Sequence, residues 1–503
     1  MADDLYSLIR TRAPALDTLF LETPDGRSLT YGQLFDAAGR FAHVLTSLGV
    51  RPGDRVAVQV EKSPEVIALY LGCLRAGAVY LPLNTAYTAG ELGYFFADAE
   101  PALIVCAPER VDEARALAPP SARVESLGAD GATGSLLDLV AQASPAFDNV
   151  SRTAGDLCAI LYTSGTTGRS KGAMISHRNL ASNALTLVDL WRMGPKDRLI
   201  HALPIYHTHG LFVAVNTVLL AGARMLYLAK FETDQVIDAF AASTLIMGVP
   251  TFYTRLLDSP RLTPAACAPM RLFISGSAPL LAETHAAFEA RTGHKVLERY
   301  GMTETNMITS NPYDGDRRAG TVGFPLPEVS VRIAEAETGA LKGVGEIGVI
   351  EVKGPNVFGG YWRLPEKTAQ EFRADGYFIT GDLGVIDADG YVSIVGRAKD
   401  LIISGGLNVY PKEVEEEIDA LEGVVESAVI GVPHPDFGEA VVAVVARAKT
   451  SSLDEAAVLA ALAGRLARFK QPKRVVFVDD LPRNAMGKVQ KAELRKEYAE
   501  VLG

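Results

Sequence analysis

The stretch that decides the fold reads Tyr162-Thr163-Ser164-Gly165-Thr166-Thr167-Gly168-Arg169-Ser170-Lys171-Gly172. It follows an apolar run at 157–161 that predicts a buried strand. The glycines and hydroxyl side chains let backbone N–H groups surround the oxygens of a polyphosphate, and Lys171 supplies positive charge. An ordinary surface loop rich in Gly, Ser and Thr is the alternative, because such loops commonly join strands.

Spacing excludes two familiar glycine motifs. A Walker loop ends in Gly-Lys-Ser/Thr, whereas Lys171 lies three residues beyond Gly168 and is followed by Gly172. A dinucleotide-binding fingerprint occurs at 343–348, but an apolar run follows it where a helix should begin. We therefore interpret 343–348 as a hairpin turn.

The composition is that of a globular protein with large cores. Of 503 residues, 48% are hydrophobic and 22% are charged, and the length predicts about three domains. The net charge of −11 disfavours nucleic acid and anionic membranes as partners. The four cysteines have no paired spacing, so we expect reduced core thiols and neither a disulfide framework nor a zinc site.

No targeting segment is expected. Asp3 and Asp4 stand where a signal or transit peptide would be basic. The longest apolar stretch, 211–223, contains Asn216 and is too short to span a bilayer. We expect a cytoplasmic protein with no membrane partner.

The periodicity of the first 325 residues predicts an α/β fold. Thr30 and Gln33 form a capping box before a helix that ends at Gly49. A strand at 55–60, a helix at 64–75 and a strand at 78–81 then give a βαβ unit, and the same alternation continues to 274. We expect two layered α/β subdomains with largely parallel sheets.

After residue 329 the alternation of strands and helices gives way to short strands and turns. Short strands and a turn at Asp389-Gly390 predict a small β-rich subdomain. Beyond it, helices at 411–421 and 453–467 and strands at 427–432, 440–447 and 474–478 predict a small α+β domain. The predicted organisation is a large N-terminal domain, 1–398, and a small C-terminal domain, 399–503.

Two acidic residues suggest further ligand contacts. Glu304 follows Thr303 in a polar break, and a carboxylate beside phosphates requires an intervening cation, so it is a candidate magnesium ligand. A helix N-terminal acid is the alternative. Asp382, after Thr380-Gly381, suits paired ribose hydroxyls, and a turn-forming aspartate is the alternative.

Five ordered motifs resemble those of the acyl-adenylate-forming superfamily, which includes acyl-CoA synthetases, adenylation domains of peptide synthetases and luciferases. The motifs are the loop at 162–172, Tyr300-Gly301-Met302-Thr303-Glu304, Thr380-Gly381-Asp382, Gly396-Arg397-Ala398-Lys399-Asp400 and Pro482-Arg483-Asn484-Ala485-Met486-Gly487-Lys488. This resemblance spans nearly the whole chain and implies that ATP, Mg²⁺ and coenzyme A take part.

The resemblance implies a role for each matched residue. The loop would hold the ATP phosphates. Thr303 and Glu304 would hold phosphate and magnesium, and Asp382 and Arg397 would hold the ribose. The implied nucleotide-binding residues are Thr163, Ser164, Gly165, Thr166, Thr167, Gly168, Lys171, Gly276, Ser277, Ala278, Glu298, Tyr300, Gly301, Met302, Thr303, Asp382 and Arg397.

Lys488 matches the family's essential lysine. Its ammonium would stabilise the charge that gathers as a carboxylate attacks the α-phosphorus. The resemblance also implies that the C-terminal domain is mobile about a hinge at Lys399, with a coenzyme A face containing Ser404, Gly405 and Gly406. It further implies reversible acetylation of Lys488, with a lysine acetyltransferase and a deacetylase as partners.

The resemblance implies that residues flanking Tyr300 line the acyl pocket, which places Arg299 there, and the acyl substrate is inferred from this arginine. A buried guanidinium needs an anion, and a second carboxylate on the substrate is the natural partner. This region is similar to malonyl-CoA and methylmalonyl-CoA synthetases, which implies a small dicarboxylic acid. The alternative is a structural pair of Arg299 with Glu298 or Glu283.

Other residues are assigned to the acyl site. Arg255 is a second candidate for the distal carboxylate, and Thr208 and Met307 are candidate walls that decide whether a methyl branch fits. His207 is interpreted as a wall that contacts the substrate carboxylate, with a catalytic contribution, and His209 as packing.

Three other functions remain open. One is a ligase for a medium-chain or aryl acid, and another is a stand-alone adenylation enzyme that loads a separate carrier protein. The third is a binding protein with an inactive nucleotide fold, which the complete set of motifs disfavours.

Overall fold

The computed structural model describes residues 4–163, 170–404, 407–435, 437–484 and 487–502. They form two compact units. One contains residues 1–330 and 352–378, and the other contains 331–351 and 379–503. Each unit has hydrophobic cores of its own.

The first unit begins with alternating strands and helices. They are α1 (Leu5–Arg12), β1 (Leu19–Glu22), β2 (Ser28–Thr30), α2 (Tyr31–Ser47), β3 (Arg55–Gln59), α3 (Pro64–Ala76), β4 (Val79–Pro82), α4 (Ala89–Ala99), β5 (Leu103–Cys106), α5 (Val111–Leu117), β6 (Arg123–Ser126), α6 (Ser135–Gln142), β7 (Leu157–Thr163) and β8 (Lys171–Ser176). Six of the strands form a sheet in the order β6-β5-β3-β4-β7-β8. It is parallel except for the β7–β8 pair.

A second alternation builds the other large sheet. Its elements are α7 (His177–Leu190), β9 (Arg198–His201), a π-helix (His209–Val215), α8 (Asn216–Ala221), β10 (Arg224–Tyr227), α9 (Thr233–Phe240), β11 (Leu245–Gly248), α10 (Pro250–Asp258), α11 (Pro264–Cys267), β12 (Leu272–Ser275), α12 (Ala282–Thr292), β13 (Leu297–Met302), β14 (Asn306–Ser310) and β15 (Phe324–Pro325). The order is β15-β14-β13-β12-β11-β9-β10-β1-β2, parallel in the centre and antiparallel at both edges. The prediction of two largely parallel α/β layers is confirmed.

Local sequence signals explain where these elements begin and end. Thr30 and Gln33 form the predicted capping box: the Gln33 N–H donates to Thr30 Oγ1 at 3.2 Å, and the Thr30 N–H donates to Gln33 Oε1 at 2.9 Å. Proline occupies the first position of α3, where no backbone donor is needed. Gly77, with φ +70°, ends that helix in the left-handed conformation that glycine adopts without strain.

The longest apolar stretch of the sequence forms the π-helix and α8. In the part of the chain that is described, no helix has both the length and the apolarity to cross a membrane. All four cysteines are buried and free, as expected.

The β-rich part follows β15. It contains β16 (Ser330–Ala334), β17 (Gly348–Lys353), β18 (Phe378–Ile386) and β19 (Val392–Arg397), in that order in one sheet. Helix α13 (Pro365–Gln370), in the first unit, lies between β17 and β18 in the sequence. The glycine run at 343–348 lies at the end of the connection between β16 and β17. It contains a turn in which the Glu346 N–H donates to the Gly343 carbonyl at 3.1 Å, and a strand follows it, not a helix.

The remaining elements form an α+β fold, as predicted. They are a 3₁₀-helix (Ala398–Asp400), β20 (Ile402–Ser404), β21 (Leu407–Val409), α14 (Pro411–Asp419), β22 (Val424–His434), β23 (Gly438–Arg447), α15 (Glu455–Ala463), β24 (Arg474–Val478) and α16 (Lys491–Glu497). Helix α15 is shorter than predicted because Gly464 ends it. The boundary at 398/399 concerns a hinge and stays a prediction, because compactness alone does not locate hinges.

Candidate active site

Strands β7 and β8 present the two ends of the glycine loop side by side. Thr163 and Lys171 are register partners, and Thr163 Oγ1 donates to the Lys171 carbonyl at 3.4 Å. The loop residues Ser164, Gly165, Thr166, Thr167 and Gly168 lie outside the described residues, so their assignment stays a prediction.

Lys171 has an acidic and an aromatic neighbour. Its Nζ lies 3.4 Å from Glu371 Oε1, and the same oxygen lies 2.8 Å from Lys367 Nζ. Lys171 Nζ also lies 4.1 Å from the centroid of the Tyr361 ring. The ammonium is therefore held at the base of the loop by a carboxylate that a polyphosphate could replace.

Glu304 lies in the turn between β13 and β14, where Asn306 adopts φ +50°. Because two antiparallel strands flank this turn, the alternative of an acid at a helix N-terminus is wrong. The side chain is 5% exposed, and Tyr361 Oη donates to Glu304 Oε1 at 2.9 Å. The Phe358 N–H donates to the Glu304 carbonyl at 2.8 Å.

The described residues contain no group of three or more His, Cys, Asp or Glu that could hold a metal ion. Magnesium sites that use substrate phosphates need only one or two protein carboxylates, with water and phosphate oxygens as the other ligands. The buried oxygens of Glu304, in the same unit as Lys171, fit such a site.

Residues 276–278 follow β12 at the carboxyl end of a parallel strand, where α/β sheets bind ligands. Ser277 adopts φ +72°, a conformation that costs a non-glycine residue about 1–3 kcal/mol. Its Oγ lies 3.2 Å from His209 Nδ1. Backbone strain of this kind is concentrated at ligand sites.

Arg299 is buried on β13, with 2% of its surface exposed. Its Nε and Nη2 have no hydrogen-bond partner among the described residues. Burial lowers the pKa of Arg299 to about 9. A guanidinium held this way is strongly destabilised until an anion reaches it.

The structural alternative for Arg299 is not supported. Glu298 accepts a hydrogen bond from the Leu280 N–H at 3.1 Å, and Glu283 is exposed. Within the ranges that the structure describes, no carboxylate oxygen lies within 4 Å of the Arg299 guanidinium. The charge of nearby Glu298 raises the pKa of Arg299 and so opposes the effect of burial, but it forms no ion pair with the guanidinium within that distance.

The other candidates for the acyl site differ in how deeply the structure buries them. Thr208, at the start of the π-helix, and Met307, on β14, are buried, and His207 is half-buried. His209 is buried, as predicted, and burial together with the Arg299 charge holds its pKa well below the usual range. Arg255 is exposed on α10, whose buried side carries Phe252 and Tyr253, so it differs from Arg299 in burial, and its assignment to the acid stays a prediction.

Asp382 and Arg397 face each other across β18 and β19 in the second unit. They are register partners, and Arg397 Nε lies 2.7 Å from Asp382 Oδ1. Asp382 is buried within a strand, so the alternative of a turn-forming aspartate is wrong. The pair presents a carboxylate and a guanidinium together.

Lys488 stands on a tight turn of the second unit. The Lys488 N–H donates to Asn484 Oδ1 at 3.0 Å, and the Asn484 N–H donates to the Lys488 carbonyl at 2.9 Å. Its side chain is exposed, as is that of Lys399. Ser404 is buried on β20, whereas Gly405 and Gly406 lie outside the described residues.

Three relationships were not predicted: the Tyr361 contacts, the left-handed Ser277 and a hydrogen bond from Lys62 to His201. The run Gly359-Gly360-Tyr361-Trp362 is a sequence signal for the first, because paired glycines beside aromatic residues suggest close backbone packing. No comparable signal marks the other two.

Comparison with known proteins identifies two family matches. The model described as AMP-binding enzyme matches residues 10–362, and the model described as AMP-binding enzyme C-terminal domain matches 413–488. ATP-bound MatB from Rhodopseudomonas palustris is similar, with 62% identity, a TM-score of 0.99 and complete coverage of both chains. A feruloyl-CoA synthase of Amycolatopsis is 37% identical over 94% of each chain. A malonate–CoA ligase of Arabidopsis thaliana is 35% identical over 94% of this chain and 85% of its own.

Proposed function

The chain belongs to the AMP-binding enzyme family and is an ATP-dependent acyl-CoA ligase, and from that premise we propose that it joins malonate or methylmalonate to coenzyme A. In the first step, a carboxylate oxygen of the acid attacks the α-phosphorus of ATP, forming acyl-AMP and releasing pyrophosphate. In the second, the thiol sulfur of coenzyme A attacks the acyl carbonyl carbon, AMP leaves, and the thiol proton passes to solvent.

The observation that carries the choice of acid is the buried Arg299. Relatives of nearly equal identity are named for ferulate and for malonate, so identity to them does not select a substrate. A monocarboxylic acid would leave Arg299 Nε and Nη2 buried and unpaired, whereas a second carboxylate supplies their acceptors. Thr208 and Met307 are assigned as the walls that accept or reject a methyl branch.

Candidate nucleotide-binding residues are assigned in each unit taken by itself. In the first unit, Lys171 and Thr303 contact phosphate, and Gly276, Ser277 and Ala278 border the adenine. In the second unit, Asp382 and Arg397 contact the ribose. Mg²⁺, held by Glu304 and phosphate oxygens, would neutralise charge on the polyphosphate.

Lys488 is assigned to the first step alone. Its exposed ammonium would stabilise the charge that develops between the attacking carboxylate and the α-phosphate. In this proposal the part of the chain after 398 then turns about Lys399, so that Ser404 and its neighbours meet the thiol. The catalysis consists of positioning and charge stabilisation.

The substrate proposal is tested by acid-dependent pyrophosphate exchange. The panel contains malonate, methylmalonate, acetate, propionate, octanoate and benzoate. We expect the two diacids to be preferred, and Arg299→Met to lower kcat/KM for malonate on the order of 100-fold or more. The same variant should retain ATP binding, because Arg299 is assigned only to the acid.

Two further arginine variants sharpen this test. Arg255→Met removes the exposed rival on α10, and Arg261→Met removes an exposed arginine that pairs with Asp234. Both should leave the preference for malonate intact. If wild-type protein uses benzoate or octanoate but not malonate, the dicarboxylate proposal is wrong.

Transfer to a carrier protein is distinguished by the acceptor. We expect a thioester on free coenzyme A, and a product found only on a protein-bound pantetheine would favour the carrier-loading alternative. The proposed location is the cytoplasm, which the four free, buried cysteines support.

We also propose that acetylation of Lys488 regulates the enzyme, with an acetyltransferase and a deacetylase as partners. The side chain is exposed, and acetylation would remove its charge. Protein carrying acetyl-lysine at 488 should fail to form acyl-AMP but convert supplied acyl-AMP to thioester. Equal loss of both half-reactions would contradict this proposal.

A further inference from the structure

Residues 358–362 connect two elements of the nucleotide site within the first unit. The Met174 N–H donates to the Gly360 carbonyl at 3.0 Å, and the Trp362 N–H donates to the Gly172 carbonyl at 2.8 Å. At the other end of the segment, Phe358 donates to the Glu304 carbonyl. Tyr361 is therefore fixed by backbone bonds between the base of the glycine loop and the Glu304 turn.

The side chain of Tyr361 contacts both of these elements. Its hydroxyl donates to Glu304 Oε1 at 2.9 Å, and Lys171 Nζ lies 4.1 Å from its ring centroid. The ring also packs against Phe358, with centroids 4.9 Å apart, and is buried. One tyrosine thus contacts the candidate metal ligand and the candidate phosphate-binding lysine.

These contacts have a physical consequence for both charged groups. A hydroxyl bonded to one carboxylate oxygen fixes the rotation of the carboxylate and leaves lone pairs on both oxygens for a cation. The face of an aromatic ring attracts an ammonium and limits where it can move. The separation of Glu304 and Lys171 is thereby set before a nucleotide arrives.

We propose that Tyr361 is a positioning residue for the adenylation step, which orients Glu304 toward a metal-bound polyphosphate and Lys171 toward the phosphate oxygens. This inference rests on the proposed function, in that it assigns Glu304 and Lys171 to ATP. It requires no contact between Tyr361 and ATP, and it does not depend on which acid is used.

The test separates the hydroxyl from the ring. Tyr361→Phe removes the bond to Glu304 and keeps the ring beside Lys171, whereas Tyr361→Leu removes both. ATP binding is measured by calorimetry with and without Mg²⁺, in the absence of any acid. We expect Tyr361→Phe to reduce the Mg²⁺-dependent gain in ATP affinity about 10- to 100-fold, the range for a hydrogen bond to a charged group. Tyr361→Leu should also weaken binding without Mg²⁺.

A double-mutant cycle shows whether the hydroxyl acts through Glu304. In the Glu304→Gln background, Tyr361→Phe should change the Mg²⁺-dependent ATP affinity less than twofold, because the group that it orients is already altered. Equal losses in both backgrounds would overturn the proposal. The thioester step from supplied acyl-AMP should be unaffected by Tyr361→Phe.

Tyr31→Phe is the matched control for the loss of a buried hydroxyl. Tyr31 Oη donates to the Ala223 carbonyl at 2.6 Å, and the residue has no assigned role. Both variants should lower the unfolding midpoint, but only Tyr361→Phe should change the Mg²⁺ dependence of ATP binding. If Tyr361→Phe changes stability alone, the residue is structural and the proposal is wrong. If wild-type protein binds MgATP but rejects malonate, only the substrate proposal fails.

Discussion

The guanidinium of Arg299 lies against the backbone of Gly276, so closely that a Cβ on Gly276 would come 2.7 Å from Arg299 Nε. The absence of a side chain at 276 is what allows the buried arginine its present position. Gly276 therefore affects recognition of the acid through the position of Arg299, even though it carries no polar side chain.

Gly276→Ala should displace the guanidinium and weaken the preference for malonate. We expect the ratio of kcat/KM for malonate to that for propionate to fall about tenfold or more, because a small displacement misaligns a bidentate contact. Gly194→Ala is the control, since a Cβ on Gly194 meets nothing within 4 Å. An unchanged ratio in Gly276→Ala would contradict the role of this packing.

Lys62→Met should weaken binding of the acid. Lys62 Nζ donates to His201 Nδ1 at 2.9 Å, and His201 Nε2 donates to the Gly210 carbonyl at 2.8 Å, close to the start of the π-helix. The variant leaves the buried Nδ1 of His201 without its hydrogen-bond donor, which lowers the free energy of unfolding by about 1–3 kcal/mol. We expect a higher KM for the acid, measured at saturating ATP, and an unchanged KM for ATP. Equal increases in both KM values would indicate a general structural effect.

Lys488→Ala should separate the half-reactions. Loss of the ammonium should slow acyl-AMP formation on the order of 100-fold or more, while thioester formation from supplied acyl-AMP stays within about twofold. Lys496→Ala, which removes an exposed lysine of α16, should change neither rate. Undiminished pyrophosphate release by Lys488→Ala would remove the lysine from the mechanism.

Stability should fall as the pH is lowered from 6.5 toward 4. His177 accepts a hydrogen bond from the Leu5 N–H, and burial lowers its pKa from 6.5 to about 4. Because the pKa of His177 is lower in the folded state than in the unfolded chain, its contribution to the free energy of unfolding is fully present above pH 6.5. That contribution falls as the pH drops from 6.5 toward 4, since the unfolded chain takes up the proton first. The loss is about 3 kcal/mol for this residue.

His177→Gln tests this assignment, because glutamine can accept the same bond without titrating. Urea denaturation at pH 7.5 and at pH 4.5 should show a smaller difference in unfolding free energy for the variant than for wild-type protein. Equal differences would assign the pH dependence to other groups.

Much of the fold could be predicted from the sequence because its signals are local. The Thr30–Gln33 capping box lies within four consecutive residues, and the strands at 55–59 and 224–227 are short apolar runs that each begin at an arginine. The predicted turn at 343–348 needed only the apolar run that follows it. These features depend on neighbours within a few positions, so sequence reasoning could place them.

The site was less predictable because its partners are distant in the chain. Tyr361 lies 57 residues from Glu304, and Lys62 lies 139 residues from His201. From the sequence, Arg299 was the first candidate for the distal carboxylate and Arg255 the second, and only the structure shows that Arg255 is exposed and Arg299 is buried. The side that each helix buries depends on the order in which strands enter the sheet.

By itself, the sequence determined the alternation of strands and helices, the ordered motifs of the AMP-binding family and the residue types available for phosphate, ribose and acid. Each of these is a property of short segments read in order. Only the tertiary structure decided that Arg299 is buried with unpartnered N–H groups, and that Tyr361 contacts both Glu304 and Lys171. Burial and long-range hydrogen bonds exist only after distant segments have packed together, because that packing removes water from polar groups.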